Sequence, residues 1–339
     1  MLQAGRWKDE DQVVERGAFV RQPSVYRGTI GSDIIEAIAA EPRRFWLIAS
    51  ASCPWSHRTL LVRSLKGLSR SIPVHIAHGP RVEGYAVDGG ARWAVPGTAQ
   101  TIVHLHELYA LGDSSYTGRS TVPVLWDSKR RRIVSNESAA IMRAFDAVRA
   151  PDAGLDFTLV PDRLSSRIDA LNAGIYDGLS NAVYRAGFAQ AQDAYDAAVQ
   201  RVFATLDDLE KRLSSRRYLL GETITEADWR LFPTLFRFDA IYYVLHRCTQ
   251  DRLVDFPQLW PYARDLYAWR GIADVVSLEA MRVAGYASDA GNPHGIVAVA
   301  PRADWRAPHG RDALGPARVT LRSGEEIEVD PTAFGRSEG

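Results

Sequence analysis

Residues 44–58 read Arg44-Phe45-Trp46-Leu47-Ile48-Ala49-Ser50-Ala51-Ser52-Cys53-Pro54-Trp55-Ser56-His57-Arg58. The first six are a short apolar run rich in aromatics, which suits a buried strand. Ser50–Pro54 has turn character. From His57 to Leu68, Leu60, Leu61, Leu65 and Leu68 recur at helical spacing. Cys53 therefore closes a strand-to-helix turn, and Pro54 falls where a helix begins, at the position whose N–H would be unpaired anyway. The free N–H groups and dipole of such a helix end point at the sulfur and favour its thiolate, with His57 and Arg58 adding positive potential. The competing reading is a small, inert core cysteine. Position 56 is serine, so no Cys-x-x-Cys dithiol is present. A lone thiolate can still attack a sulfur and hold a mixed disulfide, with the resolving thiol coming from solution; glutathione is the obvious one.

Outward from this turn, Ile72-Pro73-Val74-His75-Ile76-Ala77 is a second strand, and strand–helix–strand implies a parallel pair. Residues 81–96 read as loop and Ala99–Ala110 as helix. Val122–Asp127 and Arg130–Val134 read as two strands joined by a hairpin at Asp127–Lys129. Ser135–Val148 reads as helix. The order β-α-β-α-β-β-α is that of a thioredoxin-like domain.

The expected organisation is an N-terminal arm (1–40) with one short helix near Asp33–Ala40, and a thioredoxin-like domain (41–150). A Pro- and Gly-bearing linker (150–162), an all-helical domain (163–285) and an extended tail (286–339) follow. Ala194–Leu213, Thr225–Val244 and Pro261–Trp269 carry helical spacing. Thr225 caps its helix, with Asp228 returning the bond and Ile224 as staple. In the tail, Val319–Leu321 and Glu326–Val329 flank Ser323-Gly324 as a small hairpin.

The 339 residues are long enough for two domains. Lys plus Arg and Asp plus Glu are 41 each, so the net charge is zero, which argues against a nucleic-acid partner. No apolar stretch is long enough to span a membrane, and the first ten residues lack the apolar core of a secretory signal. Two cysteines, Cys53 and Cys248, make no disulfide framework and fit a reducing, cytoplasmic setting. Cys248 lacks the grammar around Cys53 and reads as an incidental thiol. No metal is expected: His75, His78, His104 and His106 form no recognised ligand spacing, and the last two would sit on different faces of one helix.

Thr121-Val122-Pro123-Val124-Leu125 places a proline before a strand, where an X–Pro bond is often cis. Such a turn presents the Val122 N–H and C=O, which could pair with the cysteinyl part of a tripeptide; an ordinary edge-strand proline is the alternative. Ser135-Asn136-Glu137-Ser138 opens the next helix. Ser138 and the helix N–H groups can receive a carboxylate and Glu137 an ammonium, the two groups of a γ-glutamyl end. Simple N-capping would also explain the serine and asparagine.

These motifs resemble a family. Cys53–Thr59, Gly118-Arg119-Ser120-Thr121-Val122-Pro123-Val124-Leu125-Trp126-Asp127 and Ser135–Ser138 look like the xi class of glutathione transferases, the glutathionyl-hydroquinone reductases. Asn181–Phe188, Leu220–Asp228, Arg230–Phe232, Arg237–Asp239 and Asn292–Val297 agree. The resemblance spans roughly residues 20–300. It implies a thioredoxin-like domain followed by an all-helical one, and a homodimer. It implies glutathione as co-substrate, bound by Arg119, Val122, Pro123, Glu137 and Ser138. It also implies an aromatic in the 79–88 loop, here Tyr85 where the family usually has Trp. Tyrosines that touch the hydroquinone oxygens match Tyr184 and Tyr286. The tail departs from the pattern: the family shows two adjacent tyrosines and then Ser-His, whereas here the run is Ala284-Gly285-Tyr286-Ala287-Ser288-Asp289-Ala290-Gly291. Residues 302–339 lie beyond the family's usual end.

The leading reading is a glutathione-dependent reductase that removes glutathione from a small aromatic (hydro)quinone conjugate through a Cys53 mixed disulfide. Others are an omega-like thioltransferase or dehydroascorbate reductase, a lignin-type aromatic thioether lyase, and a non-enzymatic ligand carrier. A carrier has no need of a thiolate at a helix end. Tyr242-Tyr243 and Trp260-Pro261-Tyr262 offer aromatics for a dimer interface or for the core.

Overall fold

The computed structural model describes residues 1–9, 14–149, 155–287 and 292–334. The chain forms two compact units. The first comprises Met1–Asp11, Gln22–Ala153 and Val275–Ile296. The second comprises Gln12–Arg21, Gly154–Asp274 and Val297–Gly339.

The first unit is built on a four-stranded sheet of β1 (Phe45–Ala49), β2 (Val74–Ile76), β3 (Val124–Asp127) and β4 (Arg132–Ser135), in the order β4-β3-β1-β2. β1 and β2 are parallel, with Leu47 opposite Val74 and Ile48 opposite His75. β1–β3 and β3–β4 are antiparallel, Leu47 lying opposite Leu125 and Ile133 opposite Trp126. Helices α1 (Ser32–Ala40), α2 (Pro54–Leu65), α3 (Leu105–Gly112) and α4 (Ser138–Ala147) complete the thioredoxin-like order. Every residue of β3 is buried, because a strand inside a covered sheet must be apolar on both faces. Its last residue, Asp127, is a buried carboxylate, and Arg44 at the start of β1 answers it with two charge-assisted bonds of 2.9 and 2.6 Å. Helices α2 and α4 pack together, and the buried pair Lys66–Asp146 (3.4 Å) ties them.

Four sequence expectations change here. The helix foreseen over Ala99–Ala110 begins only at Leu105: Glu107 turns back and accepts from the Val103 and His104 N–H groups, which fixes the cap. The preceding residues Thr101–Ile102 instead pair with Trp93–Ala94, so the expected 81–96 loop ends in a small hairpin. In the arm, Leu2–Gln3 pairs with Arg6–Trp7 and Val14–Glu15 with Ala18–Phe19, so it is less irregular than foreseen. In the linker, Phe157–Thr158 is a strand; positions 150–154 lie outside the described residues.

The second unit contains α5 (Ser165–Ile175), α6 (Ala182–Gly187), α7 (Gln192–Leu213), α8 (Glu226–Arg237) and α9 (Leu259–Tyr267). The helix read over Thr225–Val244 stops at Arg237 and runs into a wider turn, Phe238–Tyr242. The expected capping box at Thr225 is present: Asp228 accepts from the Thr225 N–H at 2.9 Å. The same buried carboxylate accepts from Leu219 N–H and Tyr262 Oη–H, and burial pushes it above the usual carboxylate range against these bonds. Tyr242 and Tyr262 are therefore core residues, 1% and 0% exposed, and not interface aromatics.

From Val297 onward the tail is part of this unit, whereas its start, through Ile296, belongs to the first. The expected hairpin forms between β6 (Arg318–Leu321) and β7 (Glu326–Glu328), and β6 also pairs with β5 (Phe157–Thr158). Trp305 sits among Phe232, Phe236, Trp260 and Tyr267, with ring centroids 4.8–6.4 Å away. Buried Arg311 donates to the carbonyls of Leu213, Arg216 and Arg217, at and just past the C-terminus of α7, and to that of Gln258, which precedes α9.

Candidate active site

Cys53 is the N-cap residue of α2, with Pro54 as the first helical residue, as the local grammar requires. Its Sγ accepts from the Ser56 N–H at 3.4 Å, and the Val122 carbonyl oxygen lies 3.4 Å from the same sulfur. The residue is 6% exposed and joins an apolar cluster with Ile48, Val122, Val124 and Tyr109, against which Trp55 and Tyr85 pack. Ser56 and Thr59 brace the turn: Ser56 Oγ accepts from Ser50 N–H, and Thr59 Oγ1 donates to the Ser56 carbonyl. The Arg58 guanidinium lies over the Trp55 ring at 4.4 Å, which keeps a buried positive charge on the first turn of α2.

The Val122–Pro123 peptide is cis. The Val122 N–H makes no hydrogen bond to another described residue. Two tyrosines hold this segment. Tyr109 Oη donates to the Thr121 carbonyl at 2.7 Å, and Tyr116 Oη to the Arg119 carbonyl at 2.9 Å. Burial pushes both phenols well above their usual range, so they remain neutral donors. Tyr26 stacks on Tyr116 at 5.5 Å and exchanges hydrogen bonds with Asn136, whose amide donates to Tyr109 Oη.

Glu137 is the N-cap residue of α4 and Ser138 its first residue. Glu137 Oε1 accepts from the Ala139 N–H, and Ser24 Oγ donates to Oε2 at 3.2 Å. Arg119 is exposed. In the 79–90 loop, Gly79 (φ +108°) approaches Gly89 so closely that a Cβ would come within 2.7 Å of its Cα, which pinches the loop base. The Tyr85 carbonyl accepts from Leu105 N–H. Arg81 lies over the Tyr85 ring at 3.9 Å and donates to Ser52 Oγ, beside Cys53.

Thus the Cys53 sulfur meets the Val122 carbonyl, which belongs to the cis bond to Pro123. Tyr85 reaches the same cluster, and Arg119, Glu137 and Ser138 follow through the tyrosine–asparagine network. Tyr286 is buried in the helix Leu278–Ala287 of the first unit. Positions 288–291 lie outside the described residues. Tyr184 belongs to α6 of the second unit, its hydroxyl 3.3 Å from that of Tyr242 and its ring against Phe188 and His246. Ser24, Tyr26, Arg81 and Tyr109 were not singled out by sequence reasoning, and Asn136 was read only as a helix cap. Cys248 differs from Cys53: it is 0% exposed, burial pushes its thiol up to about 12, and its sulfur lies 3.9 Å from the His246 carbonyl.

A further expectation fails. His104 and His106 do not point to different faces. His104 precedes α3 as its cap, and the two rings stack at 5.6 Å and 8°.

The comparisons agree with this fold. Residues 52–148 match the glutathione S-transferase N-terminal domain and 192–265 the glutathione S-transferase C-terminal domain. The fold and these matches define a glutathione transferase. Glutathionyl-hydroquinone reductase YqjG of Escherichia coli (strain K12) is 42% identical over 322 residues, covering 91% of this chain and 97% of that protein. Glutathionyl-hydroquinone reductase PcpF of Sphingobium chlorophenolicum is 38% identical, covering 89% and 96%. The glutathione-bound structure of YqjG superposes with a TM-score of 0.74 at 40% identity, over 82% of this chain and 94% of that one. The xi glutathione transferase of Phanerochaete chrysosporium gives 0.76 at 35% identity, over 86% and 99%. The chain belongs to the xi class of glutathione transferases, the family of the glutathionyl-hydroquinone reductases. Among the described residues no helix is long and apolar enough to cross a membrane.

Proposed function

We propose that this protein is a glutathione-dependent reductase that releases hydroquinones from glutathionyl-(hydro)quinones. The observation that carries the reading is the Cys53 sulfur at the N-cap of α2, between the Ser56 N–H and the Val122 carbonyl. The Cys53 thiolate attacks the glutathionyl sulfur. The carbon–sulfur bond breaks, its electron pair stays on the ring carbon, and that carbon takes a proton. Cys53 is left as a mixed disulfide with glutathione. A second glutathione thiolate attacks this disulfide, releases oxidised glutathione and restores Cys53.

In this reading glutathione pairs with the Val122 backbone. Its γ-glutamyl end meets Glu137, Ser138 and the N–H groups of α4, while Arg119 and Tyr85 serve the rest of the tripeptide. Arg81, stacked on Tyr85, holds that ring in place. Tyr184 and Tyr286 act as hydrogen-bond or proton donors to the aromatic oxygens. A cytoplasmic setting, where glutathione is plentiful and thiols stay reduced, and a homodimer complete the proposal.

Mass spectrometry after incubation with a glutathionyl-hydroquinone tests it. The expected product is a glutathione adduct on Cys53 alone, with free hydroquinone in solution. Hydroquinone release without that adduct, or no release at all, overturns it.

A further inference from the structure

We propose that Glu83, His104 and His106 form a binding site for a divalent transition metal of the zinc type. Their ligand atoms all lie within 4.8 Å of one another. Glu83 Oε2 is 2.9 Å from His106 Nε2 and 3.9 Å from His104 Nδ1. An ion about 2.0–2.1 Å from each atom in tetrahedral geometry would space them about 3.4 Å apart. The Glu83 side chain, 44% exposed, is free to make that adjustment.

The frame around the three is already built. His106 stacks on Trp7 at 4.8 Å and on His104 at 5.6 Å, so both rings are oriented. Glu107 lies 4.0 Å from His104 Nδ1, but its Oε1 caps α3, which leaves three protein ligands and an open position for water. Imidazole, imidazole and carboxylate are the donors that zinc and its neighbours accept, and a neutral ring is needed for each bond.

The site lies at a joint. Glu83 belongs to the 79–90 loop that carries Tyr85, whereas His104 and His106 belong to the start of α3. An ion would cross-link the two segments beside the Leu105–Tyr85 backbone bond.

The test uses the full chain without an affinity tag, as Cys53→Ser so that the thiol cannot bind the ion. Zn2+ alone is titrated by calorimetry, and Co2+ alone by visible absorption, where a four-coordinate site gives strong bands. One equivalent is expected, with affinity falling about tenfold or more in His104→Ala, in His106→Ala and in Glu83→Gln. His78→Ala, whose ring faces Asp88 instead, should bind as before. Because His106→Ala removes a ring packed on Trp7, the half-exposed Glu83→Gln keeps the test decisive. Absence of binding at submillimolar metal, or equal binding in Glu83→Gln and His104→Ala, overturns the proposal.

Discussion

Two buried cysteines in one chain show what burial alone does and what a helix end adds. Cys248 is enclosed in the second unit, and its sulfur lies 3.9 Å from the His246 carbonyl. Desolvation pushes its proton loss up to about 12, which makes it a small core side chain. Cys53 is almost as enclosed, but its sulfur caps α2 and receives the Ser56 N–H. Similar burial thus coexists with different backbone surroundings. Both sulfurs lie near a carbonyl, Val122 for Cys53 and His246 for Cys248; the difference is the N–H at a helix start that Cys53 also receives.

The largest expected effect comes from Cys53→Ala, which should lower turnover of a glutathionyl-hydroquinone by a factor of about a thousand or more. Cys248→Ala should keep nearly full activity. Equal losses in steady-state assays would erase the distinction. Next, brief alkylation of the native protein should label the Cys53 peptide and spare that of Cys248 until denaturant is added; equal labelling, read by mass spectrometry, would break the comparison. Glu137→Gln should raise KM for glutathione about tenfold with a smaller change in kcat, since it removes recognition and leaves the sulfur in place. An unchanged KM would move the γ-glutamyl end elsewhere.

The smallest effect is on stability. The Cys248 thiol ionises at a higher pH in the folded chain than in the unfolded one. Its contribution is fully present below about pH 8.5 and is lost as pH rises towards the folded value, at up to about 1.4 kcal/mol per pH unit. The urea midpoint should therefore fall above pH 9, and fall less steeply in Cys248→Ala.

What could be read from the sequence was local. Cys53-Pro54 at a strand-to-helix turn, Pro123 before β3 and the Thr225–Asp228 box each depend on neighbours a few residues apart. The network that positions the site did not declare itself, because it joins distant positions. Tyr26 meets Asn136 across 110 residues, and Ser24 meets Glu137 across 113. The His104–His106 pair was misread because one residue decides it: a helix beginning at Leu105 leaves His104 as a cap, outside the helical period that would have separated the rings. Strands of two residues, such as Trp93–Ala94, are too short to show alternation.

The small sheet at the end of the chain carries a practical consequence. Its middle strand is β6, contributed by the tail, and β6 is the strand that pairs with the edge strand β5. Cutting the chain before Arg318 would remove the centre of that sheet, and Phe157–Thr158 would become an unpaired ribbon open to another molecule. A shortened protein should therefore fail first by self-association, with its thiol chemistry still intact in the soluble fraction.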